Sequence, residues 1–204
     1  YMGIGSGYPG FNHSGFSVAM SSDGTRIAIG APYNGGNKDA LSTHNAPIPG
    51  YVHVYDYKIP TTDEWNNGNV IKGEDTDQVS GESYWVQLGA NINGETGHPW
   101  PGDEFGHSVA MNSDGTRITI GAKNNDGNGN YSGHVRVYEY DTTNGWEQLG
   151  SDIDGEAQYD RSGWSVAMNS DGTRIAIGAI YNDGNSSEAG HERVYNYRVY
   201  TSDD

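Results

Sequence analysis

The side chains best suited to bind a cation lie in two loops rich in Asn and Asp. Ca²⁺ takes about six to eight oxygen ligands, and amide and carboxylate oxygens supply them. The same residue types also form tight turns without a metal. We therefore expect no cofactor, and we keep Ca²⁺ as the alternative at these candidate ligands: Asn125, Asp126, Asn128, Asn182, Asp183 and Asn185.

No pattern in the sequence predicts catalysis. The histidines form no His-x-x-x-His or His-x-His pair, and the column that holds His134 and His191 holds Tyr51 in the first copy of the repeat described below. Neither a Gly-x-Ser-x-Gly elbow nor a Gly-Lys-Ser/Thr phosphate loop occurs. A nucleophile would be unique, whereas one serine recurs in every copy, as Ser17, Ser108 and Ser165. We predict that the chain is not an enzyme.

Three Asn-x-Ser triplets could accept a glycan, at Asn12, Asn130 and Asn185. Asn130 and Asn185 occupy the same loop of successive copies, so the position itself recurs. A glycan in an exposed loop is typical of a secreted protein. This pattern predicts a glycoprotein that is extracellular or at the cell surface.

The charge of the chain excludes some partners. It carries 27 acidic and 11 basic residues, for a formal net charge of −16. Such a surface repels nucleic acid and anionic membranes, and no apolar run approaches the roughly 20 residues of a membrane helix. We expect protein partners or glycans, no nucleic acid and no membrane insertion.

The positions of these residues follow from an internal repeat. The segment 17–31 returns at 108–122 and at 165–179, with changes in only two columns, Ser21/Asn112/Asn169 and Ala28/Thr119/Ala176. Repeats of this kind are stacked or radially arranged units that cannot bury their apolar faces alone.

Each copy predicts four short strands. Asp-Gly separates the first two strands and is a strong hairpin signal. The second strand alternates around an isoleucine pair that we expect to be buried between sheets in every copy: Ile27, Ile29, Ile118, Ile120, Ile175 and Ile177. Third strands follow at 52–57, 135–140 and 192–197, and fourth strands at 85–89 and 146–150. No helical periodicity occurs, so we predict an all-β fold of β-propeller-type blades with four antiparallel strands each.

The repeat sets the predicted boundaries within a single array, 1–204. The first blade spans about 4–89 with a loop insertion at 58–84, the second about 90–150, and the third about 151–204 without its last strand. Residues 1–3 are interpreted as the remnant of a preceding fourth strand. Three blades are too few to close a ring, so this is a partial propeller or a repeat array.

The motifs resemble the FG-GAP repeat of integrin-α-like β-propellers. Phe105-Gly106-His107-Ser108-Val109-Ala110, Gly30-Ala31-Pro32 and Gly133-His134-Val135-Arg136-Val137-Tyr138 stand where that family has its characteristic segments. Calcium-binding members carry alternating carboxylates around the Asp-Gly turn. This chain keeps one aspartate there and places an arginine directly after the turn, which disfavours calcium at that place.

The leading functional hypothesis is a non-enzymatic extracellular structural or adhesive repeat protein. It would assemble head-to-tail, as a ring or a filament, through unpaired strand edges at Tyr1, Met2, Gly3, Val194, Tyr195 and Tyr197. The alternative is a propeller module that binds glycans or proteins through loops on one face, at 34–50 and 58–84. A third hypothesis is the non-catalytic part of a larger secreted enzyme.

Overall fold

The structure is a computed structural model that describes residues 13–33, 49–71, 81–95, 102–184, 186–187 and 189–197. Of the residues singled out above, Tyr1, Met2, Gly3, Asn12 and Asn185 lie outside this described part. Residues 34–48 of the predicted binding loop 34–50, and residues 72–80 of the insertion 58–84, also lie outside it.

Within the described residues the fold consists of three antiparallel sheets, one for each copy of the repeat. The first sheet has the order β1-β2-β3-β5-β4 with β6 also on β3, the second β10-β9-β8-β7 with β11 also on β9, and the third β12-β13-β14. The elements are β1 Ser17–Met20, β2 Arg26–Ala31, β3 Tyr51–Lys58, α1 Thr62–Asn66, β4 Val70–Ile71, β5 Tyr84–Gln87, β6 Ile92–Asn93, β7 Ser108–Met111, β8 Arg117–Ala122, β9 His134–Asp141, β10 Gly145–Gln148, β11 Ile153–Asp154, β12 Ser162–Met168, β13 Arg174–Ala179 and β14 His191–Asn196. The predicted all-β fold of propeller-type sheets is confirmed.

The Asp-Gly hairpins form as predicted. Gly24 has a φ of 73°, a left-handed conformation that glycine adopts without steric cost. The carboxylate of Asp23 accepts the backbone N–H of Thr25 at 3.0 Å and its hydroxyl at 2.8 Å, which fixes the turn. The other two copies repeat these bonds, so the turn sets the strand register in all three sheets.

The sheets stack face to face, and the core lies between them. We call the face that carries the isoleucine pair the leading face, and the opposite face, with the valines of the third strand, the trailing face. One core cluster joins Val52 and Val54 on the trailing face of the first sheet to Ile118 and Ile120 on the leading face of the second. A second cluster joins the next two sheets through Val135, Val137, Ile175 and Ile177.

Three hydrogen bonds recur at both contacts between sheets, and we call them the inter-sheet bonds. Each donor belongs to the earlier sheet, and each acceptor is a backbone carbonyl of the next. The donors are a serine hydroxyl, a serine N–H and an arginine guanidinium. The bonds are Ser17 Oγ to Gly106 O at 2.7 Å and Ser108 Oγ to Gly163 O at 2.8 Å, Ser22 N to Ser113 O and Ser113 N to Ser170 O at 2.8 Å each, and Arg26 Nη1 to Gly115 O at 3.0 Å and Arg117 Nη1 to Gly172 O at 3.3 Å.

The expected burial of all six isoleucines is wrong for the first sheet. Ile118, Ile120, Ile175 and Ile177 are at most 2% exposed, because a preceding sheet covers each pair. Ile27 and Ile29 are only half-buried. The second strand is therefore less buried in the first sheet than in the other two, because none of the described residues forms a sheet against this face.

Two further expectations need correction. The insertion at 58–84 is not loop alone, since its described part holds α1 and the edge strand β4, which pairs with β5. A capping box starts the helix: Thr61 accepts from the Glu64 N–H, and the Glu64 carboxylate accepts from the Thr61 N–H. Each of the first two sheets also gains a two-residue strand, β6 or β11, on its third strand.

Candidate functional site

The Asn-rich loops are held by hydrogen bonds that recur in two copies. The side-chain N–H₂ of Asn125 bridges the carboxylates of Glu95, at 3.0 Å, and Asp103, at 3.1 Å. Its amide oxygen accepts the Gly127 N–H at 2.8 Å. Asn182 repeats this arrangement with Glu156, Asp160 and Gly184. Both asparagines are buried and join their loop to two carboxylates.

Two other candidate ligands in these loops also make hydrogen bonds, Asp126 within its loop and Asn128 to a distant segment. Asp126 accepts the Tyr131 N–H at 2.7 Å, and Asn128 donates to Gly155 O at 2.9 Å and Glu156 O at 3.0 Å. Asp183 is exposed. Asn125, Asn182 and Asp126 thus hold the conformation of their loops, and calcium binding at the candidate ligands stays a prediction.

A separate cluster lies at the start of β9, where Glu95, His134 and Asp152 approach one another. Their potential ligand atoms all lie within 4.8 Å of one another. His134 is 1% exposed, and neither ring nitrogen has a hydrogen-bond partner among the described residues. Its Nδ1 lies 3.7 Å from Asp152 Oδ2. By residue type this set could hold a divalent cation.

Arg136 already supplies a positive charge to this cluster. Its guanidinium donates to Asp152 at 2.7 and 2.8 Å and also to Glu95. The hydrogen bond from Arg136 lowers the pKa of Asp152 to about 2. Burial, followed by the nearby Arg136 charge, lowers the pKa of His134 to about 4. We interpret the cluster as an ion-pair network that joins three segments, because a metal would have to compete with the guanidinium for both carboxylates.

The third sheet carries a reduced form of this network. His191 Nδ1 lies 2.7 Å from Glu156 Oε2, and both side chains are exposed. Sequence reasoning noted that His134 and His191 share a register but missed their acidic neighbours. A recurring Ile-Asn/Asp-Gly-Glu segment, at 92–95 and 153–156, was the signal that could have found them.

Among the predicted glycan acceptors, only Asn130 lies in the described part. It is exposed in the loop before β9. The Ser132 of its triplet is fully buried, where its hydroxyl donates to Asn125 O at 3.2 Å. The Asn130 side chain is therefore accessible to solvent, and a glycan at this position stays a prediction.

The two outer faces of the stack carry exposed apolar side chains. On the leading face of the first sheet, Val18 is 67% and Met20 58% exposed. On the trailing face of the third sheet, Val194 is 65% exposed. Of the predicted assembly residues, Tyr195 and Tyr197 turn the other way and pack on the second core cluster.

No helix in the described part is long and apolar enough to cross a membrane. None of the curated proteins compared with this chain matches it. The sequence model of the FG-GAP repeat family matches residues 99–138 and 152–195, which span most of the second and third sheets. These two segments of the chain are therefore FG-GAP repeats.

Proposed function

We propose that this chain is a non-enzymatic, extracellular structural or adhesive protein. The observation that carries the proposal is the exposed apolar pair Val18 and Met20 on the leading face of the first sheet, with exposed Val194 at the other end of a stack whose internal faces are closely packed. Large exposed apolar patches on a soluble protein are typical of interaction sites.

The repeat family and the ion-pair network support the non-enzymatic part. FG-GAP repeats are generally non-catalytic modules and are typical of extracellular proteins. The carboxylates nearest to buried His134 are paired with Arg136, so they are engaged in holding segments together. The exposed Asn130 side chain fits a glycoprotein.

Two measurements test this function. Antibody against the chain should label intact producing cells, and protease added outside should remove the label. Beads coated with the chain should clump with one another, whereas beads coated with an unrelated protein of similar acidity should stay dispersed. Label that appears only after permeabilisation, or coated beads that stay dispersed, would contradict the proposal.

A groove between the first two sheets favours glycan binding as a second candidate function. It has a volume of about 470 Å³ and is lined by aromatic and amide side chains, among them Tyr140, Trp146, Asn91 and Asn144. Aromatic faces with nearby hydrogen-bonding groups suit small polar ligands such as sugars. Glycan-array binding that Asn144→Ala weakens would support this candidate. An array without signal would exclude it for the glycans tested.

A further inference from the structure

We propose that the leading face of the first sheet binds the trailing face of the third sheet of a second copy of this chain. The contact repeats the geometry of the two internal contacts between sheets. It deepens the proposed structural or adhesive function, on which it rests, by naming the partner and the surface. The strands meet face to face, which differs from the edge-to-edge pairing that the sequence suggested.

The groups that form the inter-sheet bonds also occur at the two ends of the stack, with the donors at one end and the acceptors at the other. On the trailing face of the third sheet the donors recur as the Ser165 hydroxyl, the Ser170 N–H and the Arg174 guanidinium. Ser165, Ser170 and Arg174 are exposed, and none of these three groups donates to a described residue. The acceptors recur on the leading face of the first sheet as the carbonyls of Gly15, Ser22 and Gly24. Donors at one end thus match acceptors at the other, in the spacing that the fold already uses twice.

The apolar residues match in the same way. Val109 and Met111 of the second sheet pack against the first core cluster, and their equivalents in the first sheet are the exposed Val18 and Met20. On the trailing side, Val54 and Val137 are each 1% exposed, whereas their equivalent Val194 is 65% exposed. The valine and methionine of the leading side and the central valine of the trailing side therefore recur on the surface, and a second copy supplies their partners. Leu88, Ile92, Leu149 and Ile153, which complete the trailing side of the internal contacts, have no counterpart among the described residues of the third sheet.

The trailing face of the third sheet differs from the internal contacts at two positions of its third strand, Glu192 and Asn196. Glu192 replaces Val52 and Val135, which are fully buried in the other two sheets. Arg174 lies opposite Asn196, whereas Arg26 and Arg117 lie opposite an acid, Asp56 or Glu139. A carboxylate on the contact face makes this contact weaker than the internal ones, because the charge must lose water on binding. The net charge of −16 adds repulsion between copies, so added salt strengthens the contact.

A contact between different faces makes a specific prediction for a pair of variants. Val18→Asp spoils the leading face, and Val194→Asp spoils the trailing face. Sedimentation velocity of the wild-type chain at rising concentration should show dimers and larger species, and each variant alone should stay monomeric. A mixture of the two variants should form a one-to-one dimer and nothing larger, because each contributes its intact face. Tyr159→Asp, which changes a side chain 52% exposed in a loop, is the control and should associate like the wild type.

A third variant should strengthen the contact. Glu192→Val restores the valine of the internal contacts and is expected to tighten association about tenfold or more. Circular dichroism and melting temperatures of all variants establish that they fold.

The possible negative results of these experiments distinguish between the proposed contact and the proposed adhesive function. A wild-type chain that stays monomeric at every concentration would overturn the proposal, as would variants that associate like the wild type. If Val194→Asp associates and Val18→Asp does not, the contact is a symmetric one between two leading faces. That result would also overturn the proposal. Beads that clump equally with and without Val18→Asp would overturn this docking mode while leaving the adhesive function standing.

Discussion

Thr119 stands in the second sheet where the first and third sheets have Ala28 and Ala176. It is fully buried, and its hydroxyl has no hydrogen-bond partner in the part of the chain that the structure describes. A buried polar group without a partner costs about 1–3 kcal/mol. Thr119→Val keeps the branched shape and removes the hydroxyl, so it should raise the free energy of unfolding by about 1 kcal/mol. Urea denaturation measures this change.

Replacing Thr173, a threonine whose hydroxyl has a partner, should change the free energy of unfolding in the opposite direction. The Thr173 hydroxyl donates to Asp171 Oδ1 at 2.6 Å and so fixes the hairpin turn. Thr173→Val should therefore lower the free energy of unfolding. Loss of stability in both variants would mean that the Thr119 hydroxyl is satisfied, for example by a buried water.

His134 gives the stability of the protein a pH dependence. Burial lowers its pKa to about 4, whereas an unfolded histidine titrates at about 6.5. Between these values the unfolded chain binds more protons than the folded chain, so stability falls as the pH drops through this window. His134→Gln should reduce the slope of unfolding free energy against pH by up to about 1.4 kcal/mol per unit.

Urea titrations between about pH 7 and pH 4 test this slope. They should stop there, because carboxylates such as Asp152, whose pKa Arg136 lowers to about 2, add their own loss of stability at lower pH. An unchanged slope in His134→Gln would show that His134 is not the group responsible.

At the scale of strands and helices, the sequence predicted where elements lie better than how deeply they are buried. Arg-Ile-Ala-Ile-Gly-Ala forms both β2 and β13. Turn chemistry and alternation determine the strand, and both are local. The burial of its isoleucines depends on the next sheet along, which no local pattern contains.

The elements that sequence reasoning missed are short. The helix α1 has five residues and cannot show a helical period, although its Thr61-x-x-Glu64 capping box was readable. The strands β6 and β11 have two residues each. The polar cluster around His134 was missed for another reason. Its members Glu95 and Asp152 are 57 residues apart in the sequence, and only the fold brings them together.

The contribution of an inter-sheet bond to stability can be tested by comparing the equivalent serines of the second and third sheets. Ser108 donates to the buried Gly163 carbonyl at 2.8 Å, whereas its equivalent Ser165 is exposed. In dilute solution Ser108→Ala should lower the free energy of unfolding by about 1 kcal/mol or more. Ser165→Ala should change it by less than about 0.5 kcal/mol. Equal effects in thermal or urea unfolding would show that the serine stabilises its own sheet and not the contact.

For the whole molecule, we expect folding to be independent of calcium. The candidate ligands Asn125, Asp126 and Asn128 already make hydrogen bonds to the protein, so a bound ion would add little stability. Addition of a chelator should leave the melting temperature unchanged, and addition of Ca²⁺ should not raise it. A large shift in either direction would show that these loops bind the ion.

The glycines Gly30 and Gly121, which lie between neighbouring sheets, affect how each sheet is rotated relative to the next. A Cβ on Gly30 or Gly121 would clash with the carbonyl of Gly106 or Gly163 in the next sheet, so the second strand of one sheet nearly touches the start of the first strand of the next. Towards the third and fourth strands the same gap is filled by Tyr138, Tyr140 and Trp146. Each pair of sheets is thus a wedge, narrow where glycine lines it and wide where aromatic rings do. The taper fixes the rotation from one sheet to the next, so the volume of these outer aromatic rings determines how many sheets a full turn requires.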